Sequence, residues 1–496
     1  MKSIRIIAAA LTLIMLFTAF ISCGGDGGTA AETTTAAAQT QTETAETEPL
    51  DALEQRKLVE DELPDKDFNG RKYRVIHNSG NPILDSFLAE EEASGDVVKD
   101  AVYERNSKVK ERFNADFTFD NSRVYQDAAS YVATSVLAGD DAFDLVSSHI
   151  VSLSANALKH VLLNWYDLKY VDFDKPWWSR SCKEDLTLYN TALIVVGDMA
   201  MSALGYTYCM YFDKGFAEDY KMGDIYETVL DGEWTVDLLN DLTKDIYNDI
   251  NGNSVKDMED FCGLGFRVGS HTNTFLWAFN NPVVSIGSDG EPSVSISVER
   301  ITALLEKINT LCNVNPGGIP ITKYDDAYNY FKNGHCVFSL GEIGNSVSFF
   351  RDMERDYGII PYPKWDEAQE RYRTSVNGAH EGMAVPLTIS DADFVGIITE
   401  VLCAESYKLV VPAYYDVALK YKGARDETSI ELLDIIVDGR FFDFGFIYDN
   451  WKGPCFMLEG LVKNNSSDFA SAYAAKEAAI TAHYQSVFDA IAEYSA

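Results

Sequence analysis

Lys72-Tyr-Arg-Val-Ile76, Val98 to Phe113, Asp116-Phe-Thr-Phe119, Tyr125 to Leu137 and Phe143-Asp-Leu-Val-Ser147 follow one another with short connections. The first, third and fifth are short runs rich in β-branched or aromatic residues, and Asn69-Gly70 supplies turn chemistry ahead of the first. The second sets Val98, Val102, Val109 and Phe113 on one side of a helix behind Gly95-Asp96, and Gly139 ends the fourth. A β-α-β-α-β order with connections this short predicts a parallel sheet with helices packed on it. Further on, Thr191 to Val196, Val337 to Leu340 and Tyr357 to Ile360 read as strands, and Val298 to Leu311 and Phe394 to Tyr407 as helices.

The chain around this stretch has 496 residues, which at about 100–200 residues per domain means two to four domains or two large lobes. Hydrophobic residues make up 46% and aromatic residues 12%, so global disorder is excluded. With 77 Asp and Glu against 41 Lys and Arg, the formal charge is −36. That acidity argues against nucleic acid and anionic membrane surfaces, both of which need a basic face.

Lys2 and Arg5 precede the apolar run Ile6 to Ser22, which has the length of a signal-peptide core and is short for a membrane span. Phe20-Ile-Ser-Cys23 follows and resembles the lipobox of bacterial lipoproteins. The resemblance implies cleavage before Cys23, lipidation of Cys23, and residence on the extracellular face of the cell membrane. Phe20 stands where Leu is usual, so plain secretion after cleavage and an uncleaved anchor stay open. Residues 29–48 hold 8 Thr, 6 Ala and 6 Glu or Gln and cannot bury enough apolar surface to order themselves. Residues 23–69 are therefore expected to be a flexible acidic tether, with a short exposed helix within Leu50 to Leu63. Removing residues 1–22 takes away Lys2 and Arg5 and no acid, moving the charge to −38.

Besides Cys23 there are seven cysteines, with no CxxC and several inside apolar runs. Buried free thiols are the simpler expectation, with one or two disulfides as the alternative. The seven histidines show no HExxH or other paired spacing, so a zinc site has no support.

Asp174-Lys-Pro-Trp-Trp178, Gly197-Asp198, Phe331-Lys-Asn-Gly-His335, Arg351 to Pro361, Pro363-Lys-Trp-Asp-Glu367 and Val411-Pro-Ala-Tyr-Tyr-Asp416 occur in that order. Together with the lipobox and tether, this series resembles the extracellular solute-binding proteins of ABC importers, the family-one type related to maltose-binding protein. The resemblance implies an α/β, two-lobed periplasmic-binding-protein-like fold of type II, whose lobes interleave in sequence and close on a ligand. Chain order divides it into an N-lobe of 70–197 plus 341–384 and a C-lobe of 198–340 plus 385–496. The crossing strands are expected near Val196–Met199, Ser339–Glu342 and Glu381–Val385.

Sugar recognition needs flat aromatic faces, together with carboxylates and amides that accept hydroxyl hydrogen bonds. The candidate platforms are Trp178 (or its neighbour Trp177), Trp277 and Trp451, each with packing in the core or under a loop as its alternative. Asp198 and Glu342 stand just beyond strands at the inferred crossovers, with a solvated acid or a cap as the alternative for each, while His149 follows strand Phe143–Ser147 and His380-Glu381 precedes the third crossover. Asp249-Ile-Asn-Gly-Asn-Ser-Val-Lys-Asp-Met-Glu-Asp260 puts Asp249, Asn251, Asn253, Asp257 and Asp260 at positions 1, 3, 5, 9 and 12 of an EF-hand-type loop. Ser254 replaces the usual Gly, and Asp260 is shorter than Glu. A structural calcium ion and a metal-free Asx-turn loop both stand open, and no other cofactor is expected.

The reading that follows is a non-enzymatic, monomeric carrier of a carbohydrate, delivering it to ABC permease subunits and touching the membrane only through its lipid. A secreted glycoside hydrolase would need two facing carboxylates roughly 5–9 Å apart, which no motif marks. A surface lipoprotein that binds peptide or serves a sensor is the third reading.

Overall fold

The chain divides into two units, Met1–Leu50 and Asp51–Ala496, and the structure, a computed structural model, describes residues 52–78, 87, 94–420, 427–449 and 453–494. The leader, Cys23 and Trp451 lie outside the described residues. All five elements of the opening stretch form. Strand Arg71–Asn78 lies between Ala115–Arg123 and Leu145–His149 and runs parallel to both. Helix Val97–Phe113 starts where the Asp96 carboxylate accepts the amides of Val98 and Lys99, and stops at Asn114, which takes the left-handed conformation (φ 45°). Tyr125–Leu137 is the second helix. Leu145–His149 is buried at every residue, as a strand covered on both faces must be. Glu381–Ala384 completes this sheet, antiparallel to Leu145–His149 with Glu381 opposite His149.

A second sheet has the order Tyr357–Ile360, Tyr208–Asp213, Cys336–Glu342, Phe261–Arg267, Tyr247–Asn248, and Gly318–Ile321 also pairs with Phe261–Arg267. Cys336–Glu342 is parallel to Phe261–Arg267, antiparallel to Tyr208–Asp213, and buried throughout. Helices Ser270–Ala278 and Tyr324–Lys332 pack on this sheet. The two sheets are joined where three segments run side by side. The amides of Ile343, Gly344 and Asn377 donate to the carbonyls of Thr207 (2.9 Å), Gly205 (2.8 Å) and Tyr206 (2.9 Å). This is the two-lobed, interleaved α/β fold that the resemblance implies.

Several details differ from expectation. Residues 191–196 form isolated bridges rather than a strand, Thr191 with Leu188 and Val195 with Met383. Because Val195 and Met383 exchange both backbone bonds (3.0 and 2.8 Å), the chain is still tied to the first sheet there. The first crossing therefore falls at 205–208, not at 196–199, and the third at 376–377, ahead of Glu381. Tyr357–Ile360, expected in the N-lobe, pairs with Tyr208–Asp213 in the second sheet. Helix Ala392–Glu405, expected in the C-lobe, packs under the first. Its run Phe394–Ala404 is buried throughout, and Phe394 packs edge-on against Phe68 (4.7 Å) and Tyr73 (6.0 Å). An apolar helix of this kind settles on whichever sheet face is uncovered, a fact chain order does not reveal.

The end of the expected tether is also ordered. Residues 52–57 form a helix, and Phe68 donates its amide to Phe113 (2.9 Å). Arg56 lies over the Tyr407 ring at 4.8 Å and pairs with Asp434 at 3.4 Å, while Asp61 pairs with Arg112 at 2.6 Å and Glu62 with Lys175 at 3.0 Å. The acids in this segment find cations on the body, which composition alone conceals. The seven cysteines from Cys182 to Cys455 are buried free thiols.

Candidate functional site

The strands ending at His149, Arg267 and Glu342 bring their carboxyl ends toward the crossing segments, the place where open α/β sheets leave room for a ligand. Glu342 is fully buried (0% exposed). Tyr324 and Tyr328 stand one turn apart on their helix and aim their hydroxyls at its two oxygens. Tyr324 donates to Oε1 and Tyr328 to Oε2 at 2.7 Å. Asn377, on the third crossing segment, donates Nδ2 to Oε1 at 2.9 Å, and the Glu342 amide donates to Asn345 Oδ1 at 2.7 Å. Burial pushes the Glu342 pKa above the ordinary carboxylate value, against these donors and nearby Arg267.

Around this acid sits an aromatic wall. The Arg267 guanidinium lies over the Tyr324 ring at 4.9 Å. His271 approaches Tyr328 Oη with Nε2 at 3.2 Å and meets Tyr208 and Tyr324 edge-on at 5.7 and 5.9 Å. Burial, helped by Arg267, drops the His271 pKa to about 3, so its ring is neutral. Tyr206 is half-buried, and burial beside Glu342 and Glu381 lifts its pKa to about 12. Among the described residues, Arg267 Nε, His271 Nδ1 and Asn273 Oδ1 are buried without a hydrogen-bond partner. Phenol faces beside a guanidinium, amides and polar atoms with free bonding capacity suit a ring bearing several hydroxyls.

On the first-lobe side, His149 accepts the Ser152 amide at Nδ1 (3.3 Å), capping its helix, and burial lowers its pKa to about 4. Opposite it, Glu381 accepts from Ser202 Oγ (3.1 Å), and its own amide donates to that oxygen (2.9 Å). Glu342, His149 and Glu381 are all three buried at strand ends.

The two described tryptophan candidates pack elsewhere. Trp178 is 4% exposed, edge-on to Trp165 (5.8 Å) and Phe173 (5.1 Å), with its indole donating to Glu400. Trp277 is 3% exposed, donates to Asp443 Oδ2 (2.7 Å) and packs edge-on against Phe446 at 5.0 Å. Both are core residues, because each indole N–H finds a buried carboxylate and leaves no face toward the crossing. Asp198 lines a small cavity with Ser179 and Arg440, where burial lifts its pKa to about 7. Gly197 before it admits no side chain, since a Cβ would stand 2.9 Å from Cys403 Sγ and from the Trp178 ring. The tyrosines, Arg267, His271 and Asn377 are absent from the sequence expectation. Tyr-x-x-x-Tyr at 324–328, which places two phenols on one helix face, was the signal available.

Loop 249–260 turns its oxygens onto its own backbone. Asp249 accepts the amides of Gly252 (2.7 Å) and Ser254 (2.8 Å), Asn251 that of Asn253 (2.9 Å), and Asn253 that of Val255 (2.6 Å). Asp257 accepts from Glu259 (2.8 Å), and the buried Asp260 accepts the amides of Ile250 (3.3 Å) and Asp257 (3.0 Å) and the Tyr247 hydroxyl (2.9 Å). Ser254 makes the sharp turn at φ 60°. Among the described residues no three His, Cys, Asp or Glu side chains are grouped to hold a metal ion.

No protein-family model matches the chain, and no curated protein matches it. Solved structures do match in fold. The galacto-N-biose/lacto-N-biose I-binding protein of an ABC transporter from Bifidobacterium longum, in complex with lacto-N-biose, is similar at a TM-score of 0.54 and 10% identity, over 86% of this chain and 99% of that one. A family 1 extracellular solute-binding protein from Bifidobacterium longum subsp. infantis is similar at 0.51 and 11%, over 84% and 99%. UgpB from Mycobacterium tuberculosis, in complex with glycerophosphocholine, is similar at 0.51 and 13%, over 84% and 98%. Identities this low establish the fold and nothing finer. No helix of the described residues is long and apolar enough to cross a membrane.

Proposed function

We propose that this chain, which has the fold of the family 1 extracellular solute-binding proteins, captures a carbohydrate between its lobes and hands it to an ABC importer. The observation that carries the reading is the cluster of Tyr206, Arg267, Tyr324 and Asn377 beside the crossing segments, half-buried and backed by buried Glu342. A sugar ring stacks on phenol faces and exchanges hydroxyl hydrogen bonds with the guanidinium and amide. Contacts from both lobes form together only when the lobes close, so the ligand shifts the population toward closure. A similar structure in complex with lacto-N-biose supports the carbohydrate class. Glu342 has both oxygens engaged, which favours binding over hydrolysis. The lipobox-like Phe20-Ile-Ser-Cys23 and the Thr-rich segment after it support a lipid anchor at Cys23 on the extracellular face of the membrane.

The test is a thermal-shift screen against a glycan panel, with peptides and glycerophosphodiesters as comparison arms. A ligand at a hundredfold excess over its Kd adds about 2.7 kcal/mol to stability, a readily measured rise in Tm. Glycans are expected to shift the transition; a shift from peptides or glycerophosphodiesters alone would overturn the carbohydrate assignment.

A further inference from the structure

We infer that Glu342 is a positioning residue that sets the Tyr324 phenol and the Asn377 amide in place for the ligand without touching the ligand itself. The inference rests on the ligand site proposed above. The residues there form two layers. Tyr324, Asn377 and Arg267 are half-buried, while Glu342, Tyr328 and His271 behind them are buried. Glu342 Oε1 takes both the Tyr324 hydroxyl and Asn377 Nδ2, and these two groups are themselves 3.4 Å apart. Oε2 takes Tyr328, whose hydroxyl also meets His271. One carboxylate therefore clasps a helix of the second lobe to the third crossing segment. Asn377 is in turn fixed to the first crossing segment through its amide and Tyr206 O (2.9 Å).

Two consequences follow from the direction of the bonds. Tyr324 spends its only O–H on Glu342, so toward the ligand its oxygen can only accept. The ligand must offer a hydroxyl hydrogen there, and an anionic or ether oxygen at that point is rejected. Any shift of the third crossing segment during closure also reaches Tyr324 through the shared Oε1. Protonating Glu342 turns one of its oxygens into a donor, and the phenol facing that oxygen must then turn its own O–H away and accept instead. Among the described residues, the ionisable groups facing Glu342 are Tyr324 and Tyr328 from one helix, Tyr206, Tyr208 and Cys209 from the first crossing segment and its strand, Arg267 from the neighbouring strand, and Tyr362 after Tyr357–Ile360.

The experiment uses Glu342→Gln and Glu342→Ala in the full chain, with two readouts. In ligand-free crystal structures of both variants, the Tyr324 and Asn377 side chains are expected to leave their wild-type positions while the strands stay. By calorimetry with the strongest glycan of the panel, Glu342→Gln is expected to bind about tenfold more weakly at pH 7.5, the loss of one good hydrogen bond. It should also lack the weakening toward acid pH that is expected of wild type. Tyr324→Phe, which removes the one hydroxyl that Glu342 holds, covers the case in which the Glu342 variants do not fold: the ring at 324 should leave its wild-type place while Asn377 keeps its bond to Oε1. Tyr324 and Asn377 unmoved in every variant, or Glu342→Gln with wild-type affinity and pH profile, would overturn the inference. A wild-type protein that answers to no glycan defeats the carbohydrate reading instead, and the crystal structures still decide the role of Glu342.

Discussion

Trp178 and Glu400, 222 residues apart in the chain, are joined by an indole-to-carboxylate hydrogen bond of 2.9 Å, and Trp177 donates to the other oxygen at 2.8 Å. This pairing places the Trp-Trp stretch in the core beneath helix Ala392–Glu405. Trp178→Ala should therefore cost roughly 3–5 kcal/mol in denaturant unfolding, the range for emptying a large core site. Trp178→Phe, which keeps most of the ring and drops the donor, should cost about 1–2 kcal/mol. Unchanged stability with lost ligand affinity would instead return Trp178 to the cleft.

Buried carboxyls make stability depend on pH in a definite direction. Burial raises Glu400, Asp198 and Asp185 to about 7 and Asp443 to about 6. Unfolded carboxyls titrate near roughly 4. Between those limits the folded protein holds protons on these carboxyls that the unfolded chain has released, so the four together gain stability as pH falls through about 7 toward 4, outweighing the opposite effect of the buried neutral histidines His149, His271 and His380. Calorimetric scans should give a higher Tm at pH 5.5 than at pH 8. Glu400→Gln should flatten part of that slope, which separates the local effect from relief of the overall negative charge. A slope unchanged in Glu400→Gln and Asp198→Asn would show that these groups titrate normally.

Arg56 fixes the ordered part of the N-terminal segment to the body through Tyr407, Tyr415 and Asp434. The ion pair is partly exposed and screened, so the stacked guanidinium contributes most. Arg56→Ala should lower stability by about 1 kcal/mol and raise deuterium exchange in Glu427–Asp438. Arg56→Lys should recover little of it, because an ammonium does not stack as a planar guanidinium does. Unaltered exchange in that helix would show the segment to be a passive passenger.

Loop 249–260 offers a direct test by calcium calorimetry. Its oxygens already serve the loop's own amides, so flat traces are expected for wild type and Asp249→Ala alike. Asp249→Ala should still lose about 1–2 kcal/mol of stability by orphaning the amides of Gly252 and Ser254. A saturable heat that disappears in Asp249→Ala would reinstate the ion suggested by the spacing.

The first sheet was legible because its signals are local: caps, turns and the periods of helix and strand between Lys72 and Ser147. The crossing points were not, since Val195 is held by Met383 and Tyr208–Asp213 by Tyr357–Ile360, partners that no local window contains. At the site, Glu342, His149 and Glu381 were found as polar residues at strand ends near the crossovers. The tyrosines that hold Glu342 were missed because phenols on an amphipathic helix look like core until a buried acid is seen to need donors. The tryptophans misled for the converse reason. Glu400, a lone acid inside the apolar run Phe394–Ala404, was the sign that buried N–H groups must be waiting for it.

The antiparallel pairing of Glu381 with His149 also bears on how the protein is made. Strand Leu145–His149 has one edge bare until the strand that covers it, roughly 230 residues later in the chain, is in place. Until then a chain that folds from its N-terminal end, at the ribosome or after export, presents an apolar sheet edge to its surroundings. Holding factors would act in that interval.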